Sequence, residues 1–129
     1  QLLFWEAENP EAAAKVHHLM VLCYYLQHPS LYAPDGLREA LGLLVEFVGR
    51  GTPPQVVRAL FRARLDSGAR DWKIGAAPGM QAAYAQPVAW TMTAADVVAN
   101  GPERYVASVQ GWAGATLDAL HATGALDEV

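Results

Sequence analysis

Val16-His17-His18-Leu19-Met20-Val21-Leu22-Cys23-Tyr24-Tyr25-Leu26-Gln27-His28-Pro29 is the stretch on which the reading of this chain turns. It carries three of the four histidines, the one cysteine and two of the five tyrosines of a 129-residue sequence. Val16, Leu19, Met20, Cys23 and Leu26 recur at helical spacing, and Val21 and Leu22 spread apolar character further round. A helix apolar over most of its circumference belongs inside a bundle, so this one is expected to be the central, most buried element. Just upstream, Asn9-Pro10-Glu11 supplies an N-cap, a proline at the first helical position and a first-turn acid. Downstream, Pro29 disfavours helical geometry at His28. The spacing predicts a helix over 10–27.

Outward from this helix the pattern stays helical. Leu2, Leu3, Phe4 and Trp5 read as the tail of a helix that ends near Glu8. Beyond a connector at 30–35, Leu37, Leu41, Leu44, Val45 and Val48 share one face of an amphipathic helix closed by Gly49-Arg50-Gly51. Thr52-Pro53-Pro54 starts a third, with Val57, Leu60, Phe61 and Leu65 inward and Arg58 and Arg62 outward. Thr93-Ala94-Ala95-Asp96 resembles a capping box opening a short helix that ends at Asn100-Gly101. Pro102 opens the last long one, with Tyr105, Val109, Trp112, Thr116 and Leu120 inward and small residues Ala107, Gly111 and Gly114 on another face. Between them, glycines and prolines break the pattern over 67–92, where Trp72, Tyr84 and Trp90 offer apolar anchors. A short pairing of 71–74 with 87–92 fits there, and a loop of this length in a small domain is a binding-loop signature. The expectation is an all-α single domain over 1–129, a compact bundle of about five helices with one long aromatic-rich loop.

Composition narrows the function classes. The chain is 53% hydrophobic and 17% charged, with net charge −4 and pI about 5.4. That balance argues against nucleic acid or an anionic membrane as the main partner. No apolar run approaches the roughly 18–20 residues that span a bilayer, so a soluble, cytoplasmic protein is expected. One cysteine excludes a disulfide within the chain. No signal peptide is visible, and Gln1 opens in the middle of a helical pattern, which suggests a trimmed N-terminus.

Four histidines and a cysteine raise a metal site, and helical geometry tests it. His17 and His18 diverge by about 100°, His17 and His28 stand roughly 16 Å apart, and Cys23 lies about 120° round from His17. No pair can chelate one ion from a single regular helix. A metal at His17 or His18 needs ligands from elsewhere, such as Glu6, Glu8 or His121; otherwise these are structural histidines. Cys23, on the core stripe, reads as a buried inert thiol. His28 reads as a cap for free helix-end carbonyls. Arg58, Arg62, Arg64, Arg70 and Lys73 are five of nine cationic residues within 16 positions, an anion site or a solvated face. Trp72, Tyr84 and Trp90 either line a small-molecule pocket or staple the loop down. No phosphate loop, nucleophile elbow, H-x-x-x-H or C-x-x-C is present.

Phe4-Trp5-Glu6-Ala7-Glu8-Asn9-Pro10, Val16-His17-His18-Leu19 and Leu26-Gln27-His28-Pro29-Ser30-Leu31-Tyr32 carry a resemblance, as do Trp72-Lys73-Ile74, 90–98 and the Trp112 region. Together they resemble an uncharacterised bacterial family, domain of unknown function 5946, over nearly the whole chain. That family implies no established activity. It does imply an upstream segment with a C-x-x-C pair, and hence a zinc-type site in a longer form of the chain.

Two functions follow from the residues. The first is a small-molecule or metal-dependent site between the 10–27 helix and the 67–92 loop. There His17, His18 and Tyr24 act as acid, base or ligand, and Lys73, Trp90, Trp72, Tyr84 and Arg62 bind the small molecule. The alternative is a non-catalytic interaction module, a homodimer or a subunit of an assembly, motivated by low charge and the small-residue face. The residues do not say whether the protein is an enzyme.

Overall fold

The computed structural model describes residues 1–31, 34–68, 83–84 and 86–124. Among them are six α-helices: α1 (Leu2–Glu8), α2 (Pro10–Gln27), α3 (Pro34–Leu44), α4 (Pro54–Gly68), α5 (Ala94–Asn100) and α6 (Tyr105–Ala122). No strand occurs among the described residues. The all-α expectation holds, with one helix more than about five because the stretch read as a helix tail is α1 itself. For the expected pairing of 71–74 with 87–92, the first arm lies outside the described residues and the second is irregular.

α2 spans the predicted 10–27 and is the hub. Asn9 caps it, Oδ1 accepting from the Ala12 N–H at 3.2 Å. Val16, Leu19, Leu22, Cys23 and Leu26 are wholly buried, because α1, α3, α4 and α6 all pack on this helix. Burial of each such aliphatic side chain contributes about 1.5–3 kcal/mol, which explains why nearly the whole circumference is apolar. α6 makes the most extensive packing with α2 and buries Tyr105, Val109, Trp112, Thr116 and Leu120, the face its spacing predicts.

α3 buries Leu37, Ala40, Leu41, Leu43 and Leu44. The sequence reading carried this helix through Val48; instead the chain widens into a π-helical turn, Val45–Gly49. The Arg50 N–H reaches back five residues to the Val45 carbonyl, and the Glu46 carboxylate accepts from both Arg50 Nη1 at 2.7 Å and Thr52 Oγ1 at 3.0 Å. Glu46 thus ties the turn together, and Gly51 at φ +68° finishes it in a region other residues avoid.

The segment that returns to the bundle before α5 is held by two side chains. Tyr84 donates its hydroxyl to the Leu26 carbonyl at 2.6 Å, and Gln27 Nε2 donates to the Met92 carbonyl at 2.7 Å. α5 opens with the predicted capping box, the Thr93 N–H donating to Asp96 Oδ2 at 2.8 Å. Gly101, at φ +90°, turns the chain into the 3₁₀ turn Pro102–Arg104 that leads to α6. Ala107 and Gly111 are exposed, and a Cβ at Gly111 or Gly114 meets nothing within 4 Å, so among the described residues no neighbouring helix lies against the small-residue face.

Candidate functional site

At the C-terminal end of α2 the chain leaves a half-open cleft of about 330 Å³. Tyr24, Gln27 and His28 of α2 form one side, Trp90 another, the first turn of α5 from Thr93 a third, and Trp112 of α6 the floor. Each wall has a local cause. Tyr24 and His28 are four residues apart, so they share a helix face and their rings stack at 4.3 Å between centroids, 27° apart. His28 is the C-cap of α2: its N–H donates to the Tyr25 carbonyl at 3.0 Å and its Nδ1 to the Tyr24 carbonyl at 2.7 Å. A carbonyl can only accept, so Nδ1 carries a proton. In the neutral ring Nε2 is then left as an acceptor.

Gln27 is fixed the same way. Its amide nitrogen must face the Met92 carbonyl and also approaches Thr116 Oγ1 at 3.4 Å, which turns Oε1 to the other side with no partner among the described residues. Trp90 meets Tyr84 edge-on, ring centroids 6.2 Å apart. Burial raises the Tyr84 phenol well above its ordinary pKa and keeps it a donor to Leu26. Trp112 is wholly buried beneath the cleft, and its indole N–H has no acceptor among the described residues.

A second polar group lies where α1, α2 and the start of α6 meet. Glu6, only 6% exposed, accepts from His17 Nδ1 at 2.7 Å through Oε1 and from the Tyr105 hydroxyl at 2.6 Å through Oε2. Both carboxylate oxygens are satisfied, as a buried carboxylate requires. His17 itself is half exposed, so the buried carboxylate orients a ring whose other nitrogen faces outward. Burial first, then the Glu6 carboxylate, raises the Tyr105 phenol far above its usual range. Trp5 packs edge-on against Tyr105 at 6.3 Å between centroids.

The sequence candidates therefore separate. Tyr24 and Trp90 are brought together across the cleft. His17 faces α1 and Glu6. His18 is buried toward α4, and neither ring nitrogen makes a hydrogen bond among the described residues. Burial, then Arg58 and His17 nearby, lower its pKa from 6.5 to about 4, while the Pro54 carbonyl near the ring only partly opposes this. Cys23 is inaccessible and burial raises its thiol to about 12, with the Thr116 hydroxyl beside it acting the other way. Tyr84 holds the segment rather than lining the cleft. Arg58 and Arg62 stand exposed on α4, which contributes nothing to the cleft. Lys73 and Trp72, with Arg70, lie outside the described residues, as does the side chain of Arg64.

The metal expectation finds no ligand set. Among the described residues no group of three or more His, Cys, Asp or Glu side chains converges to hold an ion. His17 spends Nδ1 on Glu6, His18 points the other way, and Cys23 is sealed in the core. Neither Gln27 nor Tyr105 is a site candidate from the sequence, where Tyr105 reads only as an inward residue of the last helix. Gln27 does carry a signal, a polar residue one position before a His-Pro helix end, yet the Met92 carbonyl it binds is 65 residues away in sequence.

With this arrangement in view, the profile of the Family of unknown function (DUF5946) matches residues 1–121. The chain belongs to that family. The match covers both polar sites, and the family's description assigns neither of them an activity. No curated protein matches the chain, and no solved structure does. Among the described residues no helix is long and apolar enough to cross a membrane.

Proposed function

We propose that the protein binds a small organic molecule in the cleft between the end of α2, the segment around Trp90 and the start of α5. One observation carries this reading: Tyr24, Gln27, His28 and Trp90, from segments more than 60 residues apart, converge on a single concave site. Its volume of about 330 Å³ falls within the range of small-ligand pockets. At ~30 Å³ per water-sized group it suits a molecule of roughly ten non-hydrogen atoms. Aromatic walls with a few fixed polar atoms are the usual make-up of such sites. Tyr24 and Trp90 are the binding residues, Gln27 and His28 the orienting ones.

Metal dependence does not belong to this reading, because among the described residues the cleft is lined by one histidine and no carboxylate. Neither does a catalytic role for His18, whose nitrogens have no accessible surface. The interaction-module alternative draws on Leu3 and Phe4, 64% and 63% exposed on α1. Two such side chains on one seven-residue helix are no more than an ordinary monomer exposes, so the cleft is the better supported.

The test is a nuclear magnetic resonance titration with aromatic fragments of about ten non-hydrogen atoms. Binding in the cleft shifts the Trp90 indole N–H and the Gln27 side-chain amide and leaves Trp5 in place, and Trp90→Ala abolishes the shift at Gln27. Fragments that at millimolar concentration leave these resonances unmoved, or that bind Trp90→Ala equally well, rule the site out.

A further inference from the structure

We infer that the ligand this cleft selects is a small organic cation, an amine or quaternary ammonium group of choline or arylalkylamine size. The inference rests on the cleft being a ligand site at all, and adds the sign of the ligand's charge. Four independent features point the same way.

The rings come first. Tyr24 and Trp90 wall the cleft above the buried Trp112, and an aromatic face attracts a cation through its quadrupole, tryptophan most strongly. Second, the polar side-chain atoms that α2 leaves free are acceptors. Gln27 has its amide nitrogen committed to Met92, leaving Oε1, and His28 has Nδ1 committed to the Tyr24 carbonyl, which in the neutral tautomer leaves Nε2. An N–H of a bound primary or secondary ammonium group has two acceptors to meet, whereas among the described residues of the lining a bound carboxylate or phosphate finds no Lys or Arg. Third, the cleft sits at the C-terminus of an 18-residue helix, the negative end of its macrodipole. Fourth, the protein carries net charge −4, a field that favours the approach of a cation over an anion.

The opposing feature is α5, whose N-terminal end also borders the cleft. Its own cap answers it: the Asp96 carboxylate sits on the Thr93 N–H and brings a negative charge to that end. The surroundings as a whole thus present π faces, lone pairs and negative potential.

Two matched pairs of probes separate charge from shape in the full chain: choline against 3,3-dimethylbutan-1-ol, and 2-phenylethylamine against 2-phenylethanol. Isothermal titration and the Trp90 indole resonance report binding. The expected result is that each cation binds at least about tenfold tighter than its neutral partner, with a preference that narrows as salt is raised. Trp90→Leu, which keeps an apolar wall without its π face, is expected to remove most of that preference and leave the neutral compounds within a few-fold. Equal binding within both pairs overturns the cation inference and leaves the cleft standing as a binding site. An undiminished preference in Trp90→Leu overturns it as well, since the rings then do not select charge. If no member of either pair binds at millimolar concentration, the cleft reading and the cation inference both fall.

Discussion

His18 carries two ring nitrogens into a site that offers neither of them a hydrogen bond among the described residues. Such a group is held in its neutral form, because charging it inside the bundle loses hydration that the nearby Pro54 carbonyl only partly replaces. Burial, with Arg58 and His17 adding to it, puts its pKa near 4 against 6.5 in the unfolded chain. Between these values the unfolded chain takes up a proton that the folded chain refuses. Folding is therefore at full strength above pH 6.5, loses stability progressively as pH falls toward 4, and has lost this contribution below it. The loss is about 2 kcal/mol once solvent screening at the edge of the site is allowed for. His18→Leu is expected to flatten that part of the profile, read as urea midpoints at pH 7 and pH 4.5. An identical acid slope in the two proteins would assign it to other groups.

Glu6 illustrates the opposite case at the same scale. It is as buried as His18, at 6% exposure, yet both its oxygens are met, by His17 and Tyr105. Two neighbouring positions of α2, His17 and His18, thus have unlike chemistry because α1 brings a carboxylate to one and α4 packs over the other.

Among the elements, α6 shows most clearly how packing uses only part of what a helix offers. Its buried face, from Tyr105 to Leu120, carries the main interface with α2. Its small residues at Gly111 and Gly114 have no neighbour within 4 Å of an added Cβ. Glycine there lowers helix stability with no close approach to justify it. Gly111→Ala is expected to raise stability by about 0.5–1 kcal/mol, seen as a higher thermal midpoint with unchanged binding in the cleft. A destabilised Gly111→Ala protein would instead mean that a second body covers this face.

At the scale of the molecule, the cleft exists because the segment before α5 is pulled down onto the end of α2. Tyr84 bonding to Leu26 and Gln27 bonding to Met92 are the two clamps. Tyr84→Phe removes the first and leaves the Leu26 carbonyl without its partner, at a cost of about 1 kcal/mol. Hydrogen exchange of the Gln27 side-chain amide, which donates to the Met92 carbonyl, is then expected to speed up roughly fivefold, because local opening becomes easier by that amount. Unchanged protection would mean that the ring packing of Tyr84 on Trp90, and not the hydroxyl, holds the segment.

What the sequence determined by itself is the set of helices and the faces they bury. The 10–27 boundaries, the inward residues of α6 and the capping box at Thr93 all follow from periodicity and capping, which act over one or two helical turns. The separation of His17, His18 and His28 was legible for the same reason, since helical angles alone keep them from sharing an ion. The tertiary structure decided everything that depends on partners far apart in the chain. Glu6 reaches Tyr105 across 99 positions and Gln27 reaches Met92 across 65. Neither pairing leaves a trace in local spacing, because a hydrogen bond at a helix crossing depends on how two elements dock and not on the pattern of either. The histidines opened the argument as the natural site, yet docking gave one of them a carboxylate, sealed one in the core and left His28 beside Tyr24, Gln27 and Trp90 at the cleft.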